Sequence, residues 1–539
     1  MHWLDHLIVT PILLPLVASA VTLLLDERRR KTKAAIGLVA LTAMLVVAFT
    51  LLSAVSDARV DVASVYRLGN WAAPYGIVLV ADRLSTMMLA LAAVVGLFTF
   101  VYSLSRWSQA GPRFHPLFML MMMGINGAFL TGDLFNLFVF FEVLLAGSYG
   151  LALHGGGRPR VTAGLHYIVI NLLASSLFLL GASLIYATTG TLNMADIASR
   201  VAGIVSEDRM LFEIGCAVLG MAFVSKAALW PLGFWLPATY ASACAPVAAM
   251  FGVLTKVGVY VILRLSLLFG HDAGHTTGLF ESSLLALGLA TLGFGGAGVL
   301  SSRSLPRIGG FCVFISSGTL IAAIGTGARS ALAGGLFYLV SSTIAIGVFF
   351  LLAELLDRTQ ATYVPSTPKA VFRDEYRDPF ESASPEEEVG VVLPAAIALI
   401  GWGYMICVVL LAGLPPLSSF IGKFAIMSGL VDAHGHTAAS SWLFIAALTC
   451  SSLVTLISLV RAGIEILWVP REGGPPLVRA SEFASIAGLL AACLLMTFEG
   501  GRIMHYMEET ARWLHAPRNY VDAVLTSAAT EALERTQSP

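Results

Sequence analysis

The chain has 539 residues, of which 57% are hydrophobic and only 12% are charged, and its net charge is −1. Soluble domains carry about 25% charged residues, so this composition excludes a soluble globular protein, and the near-zero charge gives no reason to expect nucleic acid as a partner. A membrane protein with many spans is predicted instead.

Apolar runs suited to crossing a bilayer, which takes about 20 residues, recur along the whole chain. In order they span 7–25, 35–54, 85–103, 116–131, 134–153, 166–187, 211–236, 240–263, 282–300, 309–325, 331–354, 391–428, 441–467 and 482–498. They predict an all-α polytopic membrane protein with about fourteen transmembrane helices. Basic residues follow the first run rather than precede it, so this run is predicted to be a retained helix and not a cleaved signal peptide.

The basic residues predict the orientation of these helices, because cytoplasmic loops carry an excess of Lys and Arg. With the N-terminus outside, 18 basic residues fall in cytoplasmic loops and 7 in outer loops. The outer set is Arg59, Arg67, Arg83, Arg200, Arg209, Arg264 and Arg329. An outside N-terminus is therefore predicted, with a long cytoplasmic linker over 357–390 and a tail from Gly501 at the outer surface.

Four ionisable residues lie deep inside predicted helices, namely Glu142, Lys226, Lys256 and Lys423. Each costs roughly 2.5–3.5 kcal/mol at the bilayer centre, so such a residue is a functional-site hypothesis by default. A buried lysine releases its proton more readily than an exposed one, and a nearby carboxylate reverses that tendency. The four residues are therefore predicted to form a proton relay.

A structural interpretation of the same residues stays open. In it, Glu142 and Lys226 form a structural ion pair, while Lys256 and Lys423 extend to the membrane interface. Asp133 lies near a helix end and fits a helix cap or a solvated loop residue as well as it fits a relay. These structural roles would be sufficient in a subunit that only scaffolds its neighbours.

Two predicted helices carry breaks beside their lysines. Trp230–Gly233 follows Lys226, and Gly413–Pro416 precedes Lys423. Proline removes an amide donor, and irregular backbone at membrane depth is tolerated only where protein or a watery cavity covers it. Breaks in helices seven and twelve predict two inverted repeats of five helices with an ion path at their interface.

The chain is predicted to divide into four parts. They are 1–110 with helices one to three, 111–265 with the first repeat, 266–467 with the second repeat and the linker 357–390, and 468–539 with helix fourteen and the tail.

The remaining chemistry-bearing residues predict neither a cofactor nor a metal. The six cysteines have no metal-type spacing and are interpreted as small packing residues. His434 and His436 form an isolated pair without further ligands nearby. The glycines of 293–298 are typical of a helix-packing surface rather than a phosphate loop.

The motifs around the four charges resemble the antiporter-like membrane subunits shared by respiratory complex I, membrane-bound hydrogenases and Mrp- or Pha-type cation/proton antiporters. They are FFE with Glu142, SKAALWPLGFWLP with Lys226, LTKVGVYVILR with Lys256 and AGLPPLSSFIGKF with Lys423. Within this superfamily the chain is most similar to the D subunit of the Mrp-type antiporter, and its residues 517–525 are similar to the C-terminus of that protein.

The resemblance implies a fourteen-helix fold with two inverted five-helix repeats. Glu142 and Lys226 would be the functional pair, Lys256 the bridge to the second half, and Lys423 the terminal lysine. It also implies a secondary antiporter subunit rather than an enzyme. That subunit would lie in the bacterial inner membrane, with A-, C- and small-subunit partners, and the complex would exchange cytoplasmic Na⁺ or K⁺ for external H⁺.

One departure concerns the eleventh helix, where many relatives have a histidine and a lysine. Here 336–346 offers only Tyr and hydroxyl side chains, so a relay would need Tyr338, Ser341, Ser342 or water. Two alternatives to the antiporter remain, a proton-pumping membrane subunit of complex I or a hydrogenase, and a structural scaffold.

Overall fold

A computed structural model describes residues 6–57, 63–270, 277–360, 396–431, 438–467 and 478–525. These residues form a helical bundle with one small two-stranded sheet. The principal helices are α1 (Thr10–Leu24), α2 (Arg30–Asp57), α3 (Arg83–Ser103), α4 (Phe114–Leu130), α5 (Leu134–Ala152), α6 (Arg158–Thr189), α7 (Met194–Arg200), α8 (Ser206–Lys226), α9 (Leu236–Ser242), α10 (Ala245–Gly270), α11 (Thr277–Ser301), α12 (Leu305–Gly325), α13 (Arg329–Gln360), α14 (Ala396–Ala412), α15 (Ser418–Gly429), α16 (Ala439–Leu467), α17 (Ala480–Phe498) and α18 (Gly500–Leu514).

The helices confirm a polytopic membrane fold. Ten of those in the described residues are long and apolar enough to cross a membrane, and α1, α4 and most of α14 are shorter apolar helices. Within the described residues, each predicted run overlaps a helix or a pair of helices. The count of fourteen spans, the inverted repeats and the four-part division stay predictions.

The predicted breaks in helices seven and twelve are confirmed. In the seventh run, α8 ends at Lys226, ten residues before the end of the run, and the chain becomes helical again only in α9, which starts at Leu236. The twelfth is split into α14 and α15, and between them Gly413 has a φ of +71°, which favours glycine. Pro231 and the pair Pro415–Pro416 explain the interruptions, because proline cannot donate the next helical hydrogen bond.

Helix α13 runs through the middle of the bundle and is buried over most of its length. It packs closely against α15, where a Cβ added at Gly422 would lie 2.9 Å from the Cα of Tyr338. Small residues permit such close approach between membrane helices. The contact sets α13 directly beside the helix that carries Lys423.

A β-hairpin departs from the all-α prediction. Strand β1 (Ser64–Arg67) pairs antiparallel with β2 (Val78–Ala81), and the amide of Gly132 donates to the carbonyl of Val78 at 3.0 Å. Asp82 then caps α3 by accepting a hydrogen bond from the amide of Ser85 at 2.8 Å. The hairpin thus ties the α2–α3 connection to the turn between α4 and α5.

Five of the seven arginines assigned to outer loops (Arg83, Arg200, Arg209, Arg264 and Arg329) lie in helices instead, and two of these, Arg264 and Arg83, are buried. Arg264 is inside α10 and only 5% exposed, and Arg83 is the first residue of α3, 3% exposed and 2.8 Å from the carboxylate of Glu509 in α18. Hydropathy placed both arginines in loops because it scores a charged residue as unfavourable in a membrane and takes no account of a buried partner for that charge. The loop assignment was wrong for all five residues.

Other predictions fall on residues that the structure describes only in part. Helix α13 extends to Gln360, so the first residues of the predicted linker 357–390 are helical. The rest of that linker, the histidines 434 and 436, and the tail beyond residue 525 lie outside the described residues.

Candidate proton-relay site

Four helices carry the charged residues predicted as a relay: Glu142 on α5, Lys226 on α8, Lys256 on α10 and Lys423 on α15. The three lysines are 3%, 0% and 3% exposed, and Glu142 is half-buried. Lys256 and Lys423 therefore do not extend to the membrane interface. Each of the four side chains has polar contacts inside the bundle.

Glu142 and Lys226 meet through a third residue. Ser175 of α6 donates its hydroxyl proton to Oε1 of Glu142 and accepts a hydrogen bond from Nζ of Lys226 at 3.2 Å. The ammonium also lies 4.7 Å from the ring centroid of Phe141. The acid and the amine are thus joined by a hydroxyl and do not form a direct ion pair among the described residues.

The helix breaks help to position two of the lysines. Lys226 is the last residue of α8, and Nζ of Lys423 donates to the carbonyl of Ala412, the last residue of α14, at 3.1 Å. The final carbonyls of a helix have no intrahelical partner and favour a positive charge. The Lys423 ammonium therefore stands at the C-terminal end of the first half of a broken helix, and Lys226 is itself the last residue of such a half.

Lys256 lies on the face of α10 that packs against α12. Its Nζ donates to the hydroxyl of Ser317 at 3.1 Å. Two residues along α10, a Cβ added at Gly258 would lie 2.7 Å from the amide of Ala227. The helix of Lys256 is therefore in direct contact with the residue that follows Lys226.

Lys423 is held between α14, α16 and α13. In addition to the Ala412 carbonyl, its Nζ donates to the hydroxyl of Ser452 in α16 at 2.8 Å. It lies 5.7 Å from the ring centroid of Tyr338, one of the predicted candidates on the eleventh helix.

Hydroxyl groups of α13 face both α12 and α15. Ser342 bonds Ser316 of α12 at 2.8 Å, and Ser316 is adjacent to the partner of Lys256. Ser341 bonds Ser418 at 2.7 Å and Ser419 at 2.8 Å, both in the first turn of α15.

A small cavity of about 10 Å³, the room of about one water molecule, lies between these groups. Its polar wall includes Tyr338, Ser342, Ser419 and Thr455. A polar cavity of this kind is suited to an ordered water molecule. It lies between the serine pair of α12 and α13 and the surroundings of Lys423.

Asp133 has a local role at the start of α5. Its carboxylate accepts the amide of Asn136 at 2.9 Å, so it caps this helix. The hydrogen bonds described for Asp133 remain within this turn. The structure does not bring Asp133 together with the lysines.

Several residues that shape the site escaped the sequence analysis. Ser175, Ser317 and Ser452 each lie in an apolar run where a serine carries no special signal. Asp82 and Arg264 form a buried ion pair at one end of α10, where Arg264 also donates to the hydroxyl of Tyr260 at 3.2 Å. The sequence analysis assigned Arg264 to an outer loop, and the charges of Asp82 and Arg264 at the ends of apolar runs were the signals that pointed to this pair.

Comparisons with known proteins show the family of the chain. A family model described as NADH:quinone oxidoreductase/Mrp antiporter, TM, matches residues 131–369. Over 533 residues the chain is 49% identical to the D subunit of a probable K⁺/H⁺ antiporter of Rhizobium meliloti, covering 97% of this chain and 98% of that protein. The chain belongs to the family of Mrp-type antiporter D subunits.

Two further relatives agree with this membership. The D subunit of a Na⁺/H⁺ antiporter of Alkalihalophilus pseudofirmus is 32% identical, covering 97% of this chain and 100% of that protein. The fold is similar to a chain of the Mrp complex from a Dietzia species, with a TM-score of 0.80, 24% identity, and 97% and 100% of the two chains covered. The resemblance seen in the sequence motifs is confirmed.

Proposed function

We propose that this chain is the proton-translocating subunit of a hetero-oligomeric monovalent cation/proton antiporter in the bacterial inner membrane. The complex would extrude Na⁺ or K⁺ as protons enter, which makes it a secondary transporter and not an enzyme. The observation that carries the proposal is the succession of a half-buried acid and three buried amines on α5, α8, α10 and α15, with bridging hydroxyls on the helices packed against them.

The proposed route starts at Glu142 and passes through Ser175 to Lys226. From there α10, in contact with the residue after Lys226, presents Lys256 to Ser317. Ser316 and Ser342 continue into the cavity beside Tyr338, and Lys423 ends the route. Water would fill the steps that no hydrogen bond of the chain spans.

The partial exposure of Glu142 supports the presence of partner subunits. A carboxylate facing hydrocarbon is unfavourable by roughly 2.5–3.5 kcal/mol, so a neighbouring chain is expected to cover this part of α5. The A-, C- and small-subunit types implied by the resemblance are the proposed neighbours. The outside position of the N-terminus is proposed on the distribution of basic residues alone.

The membrane potential supplies the driving force. Each charge that crosses gains about 2.3 kcal/mol per 100 mV. An exchange of more protons inward than cations outward is therefore electrogenic and would extrude cations even when the outside is alkaline.

Removal of the acid tests the proposal. In everted vesicles that carry the whole complex, Glu142→Ala is expected to abolish the pH change that follows addition of Na⁺ or K⁺, because the first proton acceptor is lost. Glu213→Ala removes a carboxylate that is 46% exposed and is the matched control, expected to transport normally. Full transport by Glu142→Ala in an assembled complex would contradict the proposal.

A redox-driven pump is the second candidate, because the matching family model also covers NADH:quinone oxidoreductase subunits. In such a pump the lysines would carry protons in the same way, but electron flow would drive the proton movement. Exchange driven by an imposed cation gradient, with no electron donor present, favours the antiporter. Strict dependence on an electron donor favours the pump.

Substitution of Ser342 tests the proposed proton step across α13. Ser342→Ala removes the partner of Ser316 and part of the cavity wall, so transport is expected to fall about tenfold, less than loss of a lysine because water can replace a hydroxyl. Ser342→Thr keeps the hydroxyl and is expected to retain most of the activity. Equal activity of the alanine and threonine variants in the vesicle assay would place the route elsewhere.

A further inference from the structure

Ser175 differs from the other serines of its own helix. A serine inside a membrane helix commonly donates to the carbonyl four residues earlier. Ser176 does so, to Leu172 at 3.2 Å, and so does Ser183, to Leu179 at 2.7 Å, and both are exposed. Ser175 is 6% exposed and gives its proton to Glu142 instead.

The hydroxyl of Ser175 uses both of its hydrogen-bonding capacities on the charged pair. A hydroxyl has one proton to donate and lone pairs to accept. Its proton is directed at the carboxylate, and its oxygen receives Nζ of Lys226 at 3.2 Å. Acid, hydroxyl and amine therefore form one continuous hydrogen-bonded chain, in which Lys226 donates to Ser175 and Ser175 donates to Glu142.

The other two lysines have a similar partner. Lys256 donates to Ser317 and Lys423 donates to Ser452, each on a neighbouring helix. Ser175 alone among the three also contacts a carboxylate in the described residues. This contact distinguishes Ser175 from a serine that only accepts a hydrogen bond from a buried ammonium group.

We propose that Ser175 is a positioning residue that holds Glu142 and Lys226 as a hydroxyl-bridged pair and conducts the proton between them. This inference rests on the proposed function. Along the hydrogen bonds as they stand, an N–H bond of Lys226 breaks as an O–H bond forms on Ser175, while the original O–H bond of Ser175 breaks and its proton joins Glu142. The serine is unchanged, and the ammonium and carboxylate become a neutral amine and a neutral acid. The reverse of this step passes a proton from Glu142 to Lys226, which is the direction of the proposed route.

A threonine and a valine at position 175 test the hydroxyl itself, because the two side chains have nearly the same shape. Ser175→Thr is expected to transport at close to the wild-type rate in everted vesicles, and Ser175→Val to fall at least about tenfold with the complex assembled. Ser176→Val, on the exposed side of the same helix, is the matched control and is expected to be unaffected.

The outcomes separate this inference from the proposed function. Equal transport by the threonine and valine variants would overturn the role of Ser175, while loss of transport in Glu142→Ala would leave the proposed function standing. If the valine variant does not assemble, Ser175→Ala takes its place, and full transport by the alanine variant would equally overturn the inference. Normal transport by Glu142→Ala would overturn the proposed function itself.

Discussion

Lys226→Ala is expected to abolish cation/proton exchange in an assembled complex. The amine is 3% exposed and is the group to which Ser175 connects Glu142. Without it the hydrogen-bonded chain ends at the serine, and the next amine lies on another helix. A loss of at least about 100-fold is expected, in line with the removal of a positioned proton donor.

Lys226→Arg separates charge from proton release. Arginine keeps the positive charge next to Glu142 but does not give up its proton in proteins. The complex is therefore expected to assemble as in the wild type and still to be inactive. The measurement is the cation-dependent pH change in everted vesicles, with the amount of assembled complex determined on the same membranes.

Two results would contradict this account. Normal exchange by Lys226→Ala would favour the scaffold interpretation, in which the chain only supports its neighbours. Normal exchange by Lys226→Arg would show that the side chain contributes a fixed charge and that the proton takes another path.

Arg264→Ala is expected to have the largest effect on stability. Arg264 is 5% exposed, Asp82 is 0% exposed, and the guanidinium contacts the carboxylate and lies 5.2 Å from the Tyr520 ring centroid and 5.8 Å from that of Trp513. Burial raises the pKa of the Tyr520 hydroxyl, so the tyrosine stays neutral, and Asp82 is the carboxylate that balances the arginine among the described residues. Loss of one partner from a buried pair costs about 3–5 kcal/mol.

Thermal unfolding of the detergent-solubilised protein measures this effect. The control is Arg502→Ala, whose side chain is 87% exposed in an i,i+3 pair with Glu499 and which is expected to change stability by less than about 1 kcal/mol. The double variant Asp82→Asn with Arg264→Leu removes both charges and keeps a side chain able to cap α3. It is expected to be more stable than Arg264→Ala, and equal instability would show that packing rather than charge is responsible.

The C-terminal region depends on the same contacts. Helix α18 reaches Arg83 through Glu509, and the helical residues 517–525 bring Tyr520 to Arg264. The sequence predicted a tail at the outer surface from its mixed charge and amphipathic pattern. Its attachment to the ends of α3 and α10 depends on partners several hundred residues away, which no local pattern reveals.

The sequence by itself determined the class of the molecule, the approximate position of the helices, the two breaks and the four buried charges. Hydropathy, proline and charge are local properties. Their effect on the neighbouring residues does not depend on where the helix packs in the bundle. The order of the four motifs is also specific enough to indicate the family.

The tertiary structure alone decided which side chains meet. Ser175 between Glu142 and Lys226, the serine pair of α12 and α13, and the burial of Arg264 all depend on the rotation and spacing of neighbouring helices. These are set by close contacts such as that of Gly422 with Tyr338, which join residues far apart in the chain. A serine in an apolar run looks the same in the sequence whether it faces lipid or bridges an acid and an amine.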